Sequence, residues 1–300
     1  MRNLLVAIAL LSGLPVMAAE PIDPATHRAE VEAWHAGRIE RLLQPTGWLS
    51  LVGLHWIEEG RHSVGSAADS GIVLNTGPAR LGVIERSGDR VTFTADPQAG
   101  VQFTPAAEGS VTLSTGAEGE PSVVAFNDGG ASFVLIERSG RYALRVRDTQ
   151  APTRTGFAGI ERFPVDPGWR VDARFIPHPE GRTIDIATVI NTLEPMVNPG
   201  VIEFELNGEV HRLEAILELP DDDSYFVIFA DRTNRDQTYG AGRFVYTDGM
   251  PRDGRVVLDF NKAYNPPCAL NAYSTCPLPP PENRLDMVVN AGEKRYQGVH

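Results

Sequence analysis

No two histidines in this chain share the spacing that a metal site asks for. His27, His35, His55, His62, His178, His211 and His300 never stand two or four residues apart, so neither a strand nor a helix aims two imidazoles at one first-row ion. The nucleophile-elbow pattern G-x-S-x-G is missing too. In "GRHSVG" Ser63 follows His62 directly, and neighbours on a strand point to opposite faces, which argues against a catalytic serine there. "TYGAGRF" has no following Lys-Ser and runs on into an alternating strand, so it is not a phosphate cradle. Acidic residues outnumber basic ones, 39 to 27, for a net charge of -12. The basic surface that would neutralise nucleic-acid phosphates is therefore missing. The run Asp221-Asp222-Asp223 lacks the spaced ligands of a calcium loop and reads as an acidic solvated turn. Neither a metal nor a cofactor is expected.

Long apolar runs are also scarce. The one at residues 4–14 is preceded by Arg2 and followed by Val16-Met17-Ala18, the pattern of a signal peptide over residues 1–18 cleaved after Ala18. A transmembrane helix needs ~20 apolar residues, so no stable membrane insertion is expected once the signal is removed. The expected location is the periplasm or the exterior. Cysteine is limited to Cys268 and Cys276, and in an oxidising compartment these two predict a single disulfide. What remains is long enough for one large or two modest domains at ~150 residues each. Its 42% hydrophobic content suits a packed core.

Asp23-Pro24 has the form of an N-cap followed by proline at the first helical position, and Val31, Trp34, Ile39 and Leu42 recur at roughly helical spacing. An amphipathic helix is expected over about 24–43. Nearly everything after it alternates with period two between Gly, Asp and Asn punctuation. In "FVLIERSGRYALRVRD", Ser139-Gly140 closes a hairpin that sets Leu135 against Leu144 and Phe133 against Val146. Asn207-Gly208 in "FELNGEVHRLEAIL" repeats the device. Strands are expected near 49–53, 72–74, 81–85, 91–95, 122–126, 133–146, 169–175, 184–190, 201–217, 225–229, 242–246, 256–260 and 285–289. The predicted class is mainly β. A helical segment (19–47) precedes a β-sandwich (48–147), a connecting segment (148–168) and a C-terminal sheet or barrel (169–300) that ends in a proline-rich loop.

The stretches "GWLSLVGLHWIEEGRHSVGS", "RDTQAPTRTGFAGIERFPVD", "TYGAGRF" and "DFNKAYNPPCALNAYSTCPLPPPENRLDMVVNAGEK" together resemble domain of unknown function family 1684, over nearly the whole chain after residue 18. That family carries no established activity, so the resemblance implies a relative and not a reaction. It also implies that the paired cysteines occur in members without export signals. "WIEEGRHSVGSAADSGIVL", through Gly60, Gly65 and Ile72-Val73-Leu74, is similar to the opening strands of a forkhead-associated β-sandwich. The phosphothreonine contacts of that family do not come with it, because Ser66 and "ARLGVI" occupy the positions concerned. The similarity implies a sandwich without phosphopeptide binding.

A candidate site lies near the C-terminus. The strands of "GAGRFVYTDGMPRDGRVVLDFN" flank a turn and predict a hairpin. A register with Val245 opposite Val257 brings Phe244 opposite Leu258, Tyr246 opposite Val256, and Arg243 opposite Asp259. Asn261 then joins the polar face, and the loop Tyr264-Asn265-Pro266-Pro267 walls it. Two functions follow as expectations. One is a binding module that holds a small polar ligand or envelope component through Arg243, Asp259, Asn261, Tyr264 and Asn265, beside a loop stiffened by the Cys268–Cys276 disulfide. The alternative is a hydrolase with Asp259, Arg243, Tyr264 and Glu293 as its catalytic candidates.

Overall fold

The computed structural model describes residues 22–117 and 119–299. The expected export signal, residues 1–18, lies outside the described residues. Helix α1 (Pro24–Leu43) starts where the Asp23 carboxylate accepts a hydrogen bond from the Thr26 amide at 2.9 Å, with Pro24 at its first turn. It stops before Pro45. Its buried face is His27, Val31, Arg38 and Leu42. Two of those four are polar, so the helix docks on charge and hydrogen bonds as much as on apolar area.

Strands β1 (Leu51–Trp56), β2 (Gly60–Gly65), β3 (Ile72–Val73), β4 (Gly82–Ser87) and β5 (Arg90–Ala95) come next. They are followed by β6 (Gln102–Thr104), β7 (Ser110–Thr112), β8 (Val123–Phe126), β9 (Ala131–Arg138) and β10 (Arg141–Asp148). They form two sheets, ordered β1-β10-β9-β8-β6 and β3-β2-β4-β5-β7, whose inner faces share one core. Phe93, Phe126 and Phe133 fill it, with Phe93 and Phe133 edge to face at 5.2 Å. Each such ring stabilises the fold by ~1.5–3 kcal/mol through burial. The Ser139-Gly140 hairpin forms with the expected register, Leu135 opposite Leu144 and Phe133 opposite Val146. Both turn residues take positive φ, 51° and 75°, as a primed two-residue turn requires.

After the short helix α2 (Pro152–Thr155), the chain enters β11 (Arg170–Pro177), β12 (Thr183–Ala187), β13 (Leu193–Leu206) and β14 (Glu209–Leu217). Strands β15 (Phe226–Phe229), β16 (Arg243–Tyr246) and β17 (Arg255–Asp259) complete the sheet. Its order is β16-β15-β14-β13-β11-β17, with β12 on β13, and it curls as a half-barrel around Phe204, Phe229 and Phe260. The fold is mainly β with an N-terminal helix. Asn207-Gly208 turns between β13 and β14, bringing Leu206 opposite Glu209.

Two local expectations fail. β16 and β17 are not a hairpin: they are the two end strands of the sheet, and just beyond β16 Thr247 bridges Leu258. Val245 lies opposite Val227, and Val257 opposite Asp172. The free edge of β16 is taken instead by Tyr264, whose N–H and C=O exchange two hydrogen bonds with Phe244 at 2.8 and 2.9 Å. The stretch 285–289 forms no strand. Its amides go elsewhere, Leu285 to the Ala230 carbonyl and Val289 to the Asp231 carboxylate, so no ladder is left for it.

The segment from 149 to 169 is a packed joint rather than a loose connection. Thr153 donates to the Leu49 carbonyl at 2.6 Å and Arg154 to the Leu43 carbonyl at 2.8 Å. Phe157 and Ile160 join Leu42, Leu49, Leu270 and Tyr296 in a small core. Helix, first sheets and proline-rich loop are thereby held at fixed positions around one cleft.

Candidate functional site

The polar residues expected to form the site do not stand together in a pocket. Arg243 is fully buried, and its partner is Asp231 at 2.8 Å, not Asp259. Its Nη1 and Nη2 donate to the carbonyls of Ala291 and Val289 while its Nε has no partner, and the guanidinium is a strut between β16 and the C-terminal loop. Burial pulls its pKa down while Asp231 holds it up. Asp259 is also fully buried, and it takes His27 of helix α1 at 2.7 Å. Its other oxygen accepts from the backbone and side-chain amides of Asn261 at 3.0 and 2.8 Å. Asn261 in turn bonds the backbone of Asp166 in both directions, tying down the joint. Glu293 follows Gly292, whose φ of +74° and contact with the Ala263 carbonyl leave no room for a Cβ. The Glu293 carboxylate is fully buried between Arg38, at 2.5 Å, and the Asn265 amide, at 2.7 Å. These four residues dock the helix and close the half-barrel.

Tyr264 and Asn265, by contrast, line open space. Two adjoining hollows, about 280 and 490 Å³, share Arg38, Leu42, Trp48, Tyr246 and Tyr264. They form one cleft between helix α1, the outer face of the first sheet, and the β16 edge with the proline-rich loop. Its aromatic wall is Trp34, Trp48, Tyr246 and Tyr264, the two tyrosines stacked at 6.3 Å and 11°. Its cations come from three elements. Arg38 and Arg41 project from the helix, and Arg138, Arg145 and Arg147 from β9 and β10. Among the lining residues Glu218 is the one carboxylate, and it is taken by the Tyr246 hydroxyl. Desolvation raises the pKa of Glu218 and of both tyrosines, so the tyrosines stay neutral hydrogen-bonding groups.

Arg145 is the least expected member of this group. It is 7% exposed, yet it forms no ion pair among the described residues and its Nε has no hydrogen-bond partner. Its guanidinium lies 5.3 Å from the Trp48 ring. Burial, reinforced by Arg138 and Arg147, pulls its pKa down to about 10, which still leaves it charged at neutral pH. The Nε of Arg147 is buried without a partner as well. A buried cation lacking a counter-charge costs several kcal/mol, and structures rarely keep one without use.

β10 explains how these arginines arrive there. Leu144 and Val146 face the sandwich core, so alternation sends Arg145 and Arg147 to the outer face, against the proline-rich loop. That signal was present in "RYALRVRD", within an acidic chain. Local alternation does not reveal the site, because the surface these arginines meet lies more than a hundred residues further along the chain.

Cys268 and Cys276 are side by side, 2.6 Å apart, as two free thiols without the expected disulfide bond. The Cys268 amide donates to Cys276 Sγ at 3.1 Å, and the Ser274 hydroxyl to Cys268 Sγ at 3.2 Å. The hydrogen bond from Cys276, together with Ser274 and Arg145, holds the Cys268 thiol below the usual range against its burial; Cys276 is pushed up correspondingly. Cys276 lines the cleft beside Ser274 and Pro277. Among the described residues no group of three or more His, Cys, Asp or Glu could hold a metal ion, and no helix is long and apolar enough to cross a membrane.

No curated protein matches the chain. Among solved structures it is similar to an uncharacterized protein of Haloarcula marismortui determined by solution NMR, at 35% identity and a TM-score of 0.40. That match covers 46% of this chain and 77% of the other. The family model described as "Protein of unknown function (DUF1684)" matches residues 155–294, a narrower span than the sequence resemblance implied. It includes Glu218, Tyr246, Tyr264 and both cysteines, while Arg138, Arg145 and Arg147 lie before it. Through that C-terminal half, the chain belongs to the DUF1684 family of proteins of unknown function.

Proposed function

We propose that this protein binds a small anionic ligand with a planar apolar body in the cleft between helix α1, the first sheet and the proline-rich loop. The observation that carries this reading is Arg145, a buried and unpaired cation that opens onto a cavity of ligand size. An incoming carboxylate or phosphate supplies the missing counter-charge and forms charge-assisted hydrogen bonds. Arg147 and Arg138 add positive potential behind it. Trp48 and Trp34 offer flat apolar contact, and the Tyr246–Glu218 pair offers hydrogen bonding at the far wall.

On the same reading residues 1–18 export the chain, cleavage follows Ala18, and the two thiols close to a disulfide in an oxidising compartment. The small-ligand expectation is kept, but its seat moves from the Arg243–Asp259 face to the cleft. The hydrolase alternative finds less support. Asp259 and Glu293 are fully buried and already hold His27 and Arg38, which leaves neither free to exchange a proton with a substrate.

The test is calorimetric titration of the mature chain, at low and high salt, with benzoate, naphthoate and inorganic phosphate. Saturable binding of an aromatic acid at one site, weakened but not abolished by salt, supports the reading. Absence of heat with every probe, together with native mass spectra free of any retained anion, overturns it.

A further inference from the structure

Arg145 lines the same hollow as Cys276, which has Cys268 beside it. Its charge is favoured by Cys276 and Cys268, just as Cys268 is made more acidic by Arg145. In the reduced protein the Cys268 sulfur is the natural holder of negative charge. It accepts from the Ser274 hydroxyl at 3.2 Å, and Cys276 lies beside it. Cys268 is half-buried whereas Cys276 is 5% exposed, so an external reagent meets Cys268 first. Pro266, Pro267 and Pro277 brace the segment that carries both, and the sulfurs already lie 2.6 Å apart. Closing the bond therefore needs little backbone movement.

We propose that Cys268 and Cys276 are a thiol–disulfide exchange couple that sets the anion affinity of the cleft, low when reduced and high when oxidised. The inference rests on the cleft being an anion site. A small-molecule disulfide of the glutathione class serves as oxidant. The Cys268 thiolate attacks one of its sulfurs, forming a mixed disulfide and expelling a thiolate that takes a proton from water. Cys276 then gives its proton to solvent and attacks the Cys268 sulfur, expelling the second thiolate. The net change is one protein disulfide formed, two small thiols released, and two electrons passed to the reagent.

The consequence for the cleft is electrostatic. A thiolate near Arg145 competes with an incoming anion for the same guanidinium, and a disulfide carries no charge. Oxidation thus leaves Arg145 without any counter-charge except the ligand. A chain that is reduced before export and oxidised after it would bind its ligand more tightly at its destination.

The experiment titrates benzoate into the full mature chain by calorimetry in two states, one equilibrated with dithiothreitol and one with excess glutathione disulfide, with the redox state of each verified by intact mass. The expected result is roughly tenfold tighter binding in the oxidised protein, within the ~5–150-fold range usual for coupled sites. The Cys268→Ser, Cys276→Ser double variant should bind alike under both conditions, with the oxidised affinity. Equal affinities of the two wild-type states overturn the gating and leave the binding reading standing. Absence of binding in both states overturns the binding reading, and the gating falls with it. Thiols that remain alkylatable after equilibration with the disulfide overturn the couple itself. The wild-type comparison decides the matter even if the variant fails to fold.

Discussion

Arg243 and Arg145 are both buried arginines, and they differ in what answers their charge. Arg243 has Asp231 at 2.8 Å and the carbonyls of Val289 and Ala291. Arg145 has an aromatic ring, two thiols and a cavity. The first arrangement builds structure, because removing one partner strands a charge in low dielectric. Asp231→Ala should therefore cost ~3–5 kcal/mol in urea unfolding. A cost below ~1 kcal/mol, the value for an exposed pair, would contradict the role given to Arg243. The register read from the sequence sets Arg243 opposite Asp259 on a polar face, whereas the structure buries both and gives each a different partner. That register pairs them wrongly, because a period of two fixes the face of a residue and not its partner. The true partner of Asp259, His27, lies 232 residues away along the chain.

Among the elements, those whose partner is the next stretch of chain were legible. The hairpins at Ser139-Gly140 and Asn207-Gly208 carry their turn chemistry and their alternation within one window, and both form in register. Between β16 and β17 the sequence looks the same, but each strand finds a better edge elsewhere, on β15 with Tyr264 and on β11. Helix α1 was legible from its cap and spacing, while its docking was not, since Arg38 reads locally as one more surface cation. Bound to Glu293 at 2.5 Å and set 4.4 Å over the Tyr264 ring, it fastens the helix and forms part of the cleft wall. Arg38→Met leaves the Glu293 carboxylate buried with the Asn265 amide as its remaining partner. A loss of ~3–5 kcal/mol is expected, together with faster amide exchange along the second half of α1. Unchanged exchange there would show that the helix is held by its apolar contacts alone.

On the scale of the whole molecule, a net charge of -12 conceals a local reversal of sign. The cleft draws cations from helix α1 and the β9–β10 hairpin, aromatic rings from β16 and the loop after β17, and thiols from the proline-rich segment. Tyr264 and the thiols share one window, but the cations of β9 and β10 lie more than a hundred residues before it, which is why the fold class could be read and the cleft could not. The joint from 149 to 169 and its small core fix the three sources against one another, so the site is preformed and a ligand has little ordering to do. Binding should then raise the melting temperature by mass action, by about 2.7 kcal/mol of stability at a hundredfold excess over Kd. The central claim is that Arg145 is retained for a ligand and not for the fold, and the variant Arg145→Met tests it most directly by melting and by benzoate titration on one preparation. The account predicts a melting temperature that is unchanged or higher, since an unpaired buried charge is removed, and an affinity at least about tenfold weaker, since a charge-assisted hydrogen bond worth ~1.5–3 kcal/mol is lost. A lower melting temperature with affinity unchanged would contradict it.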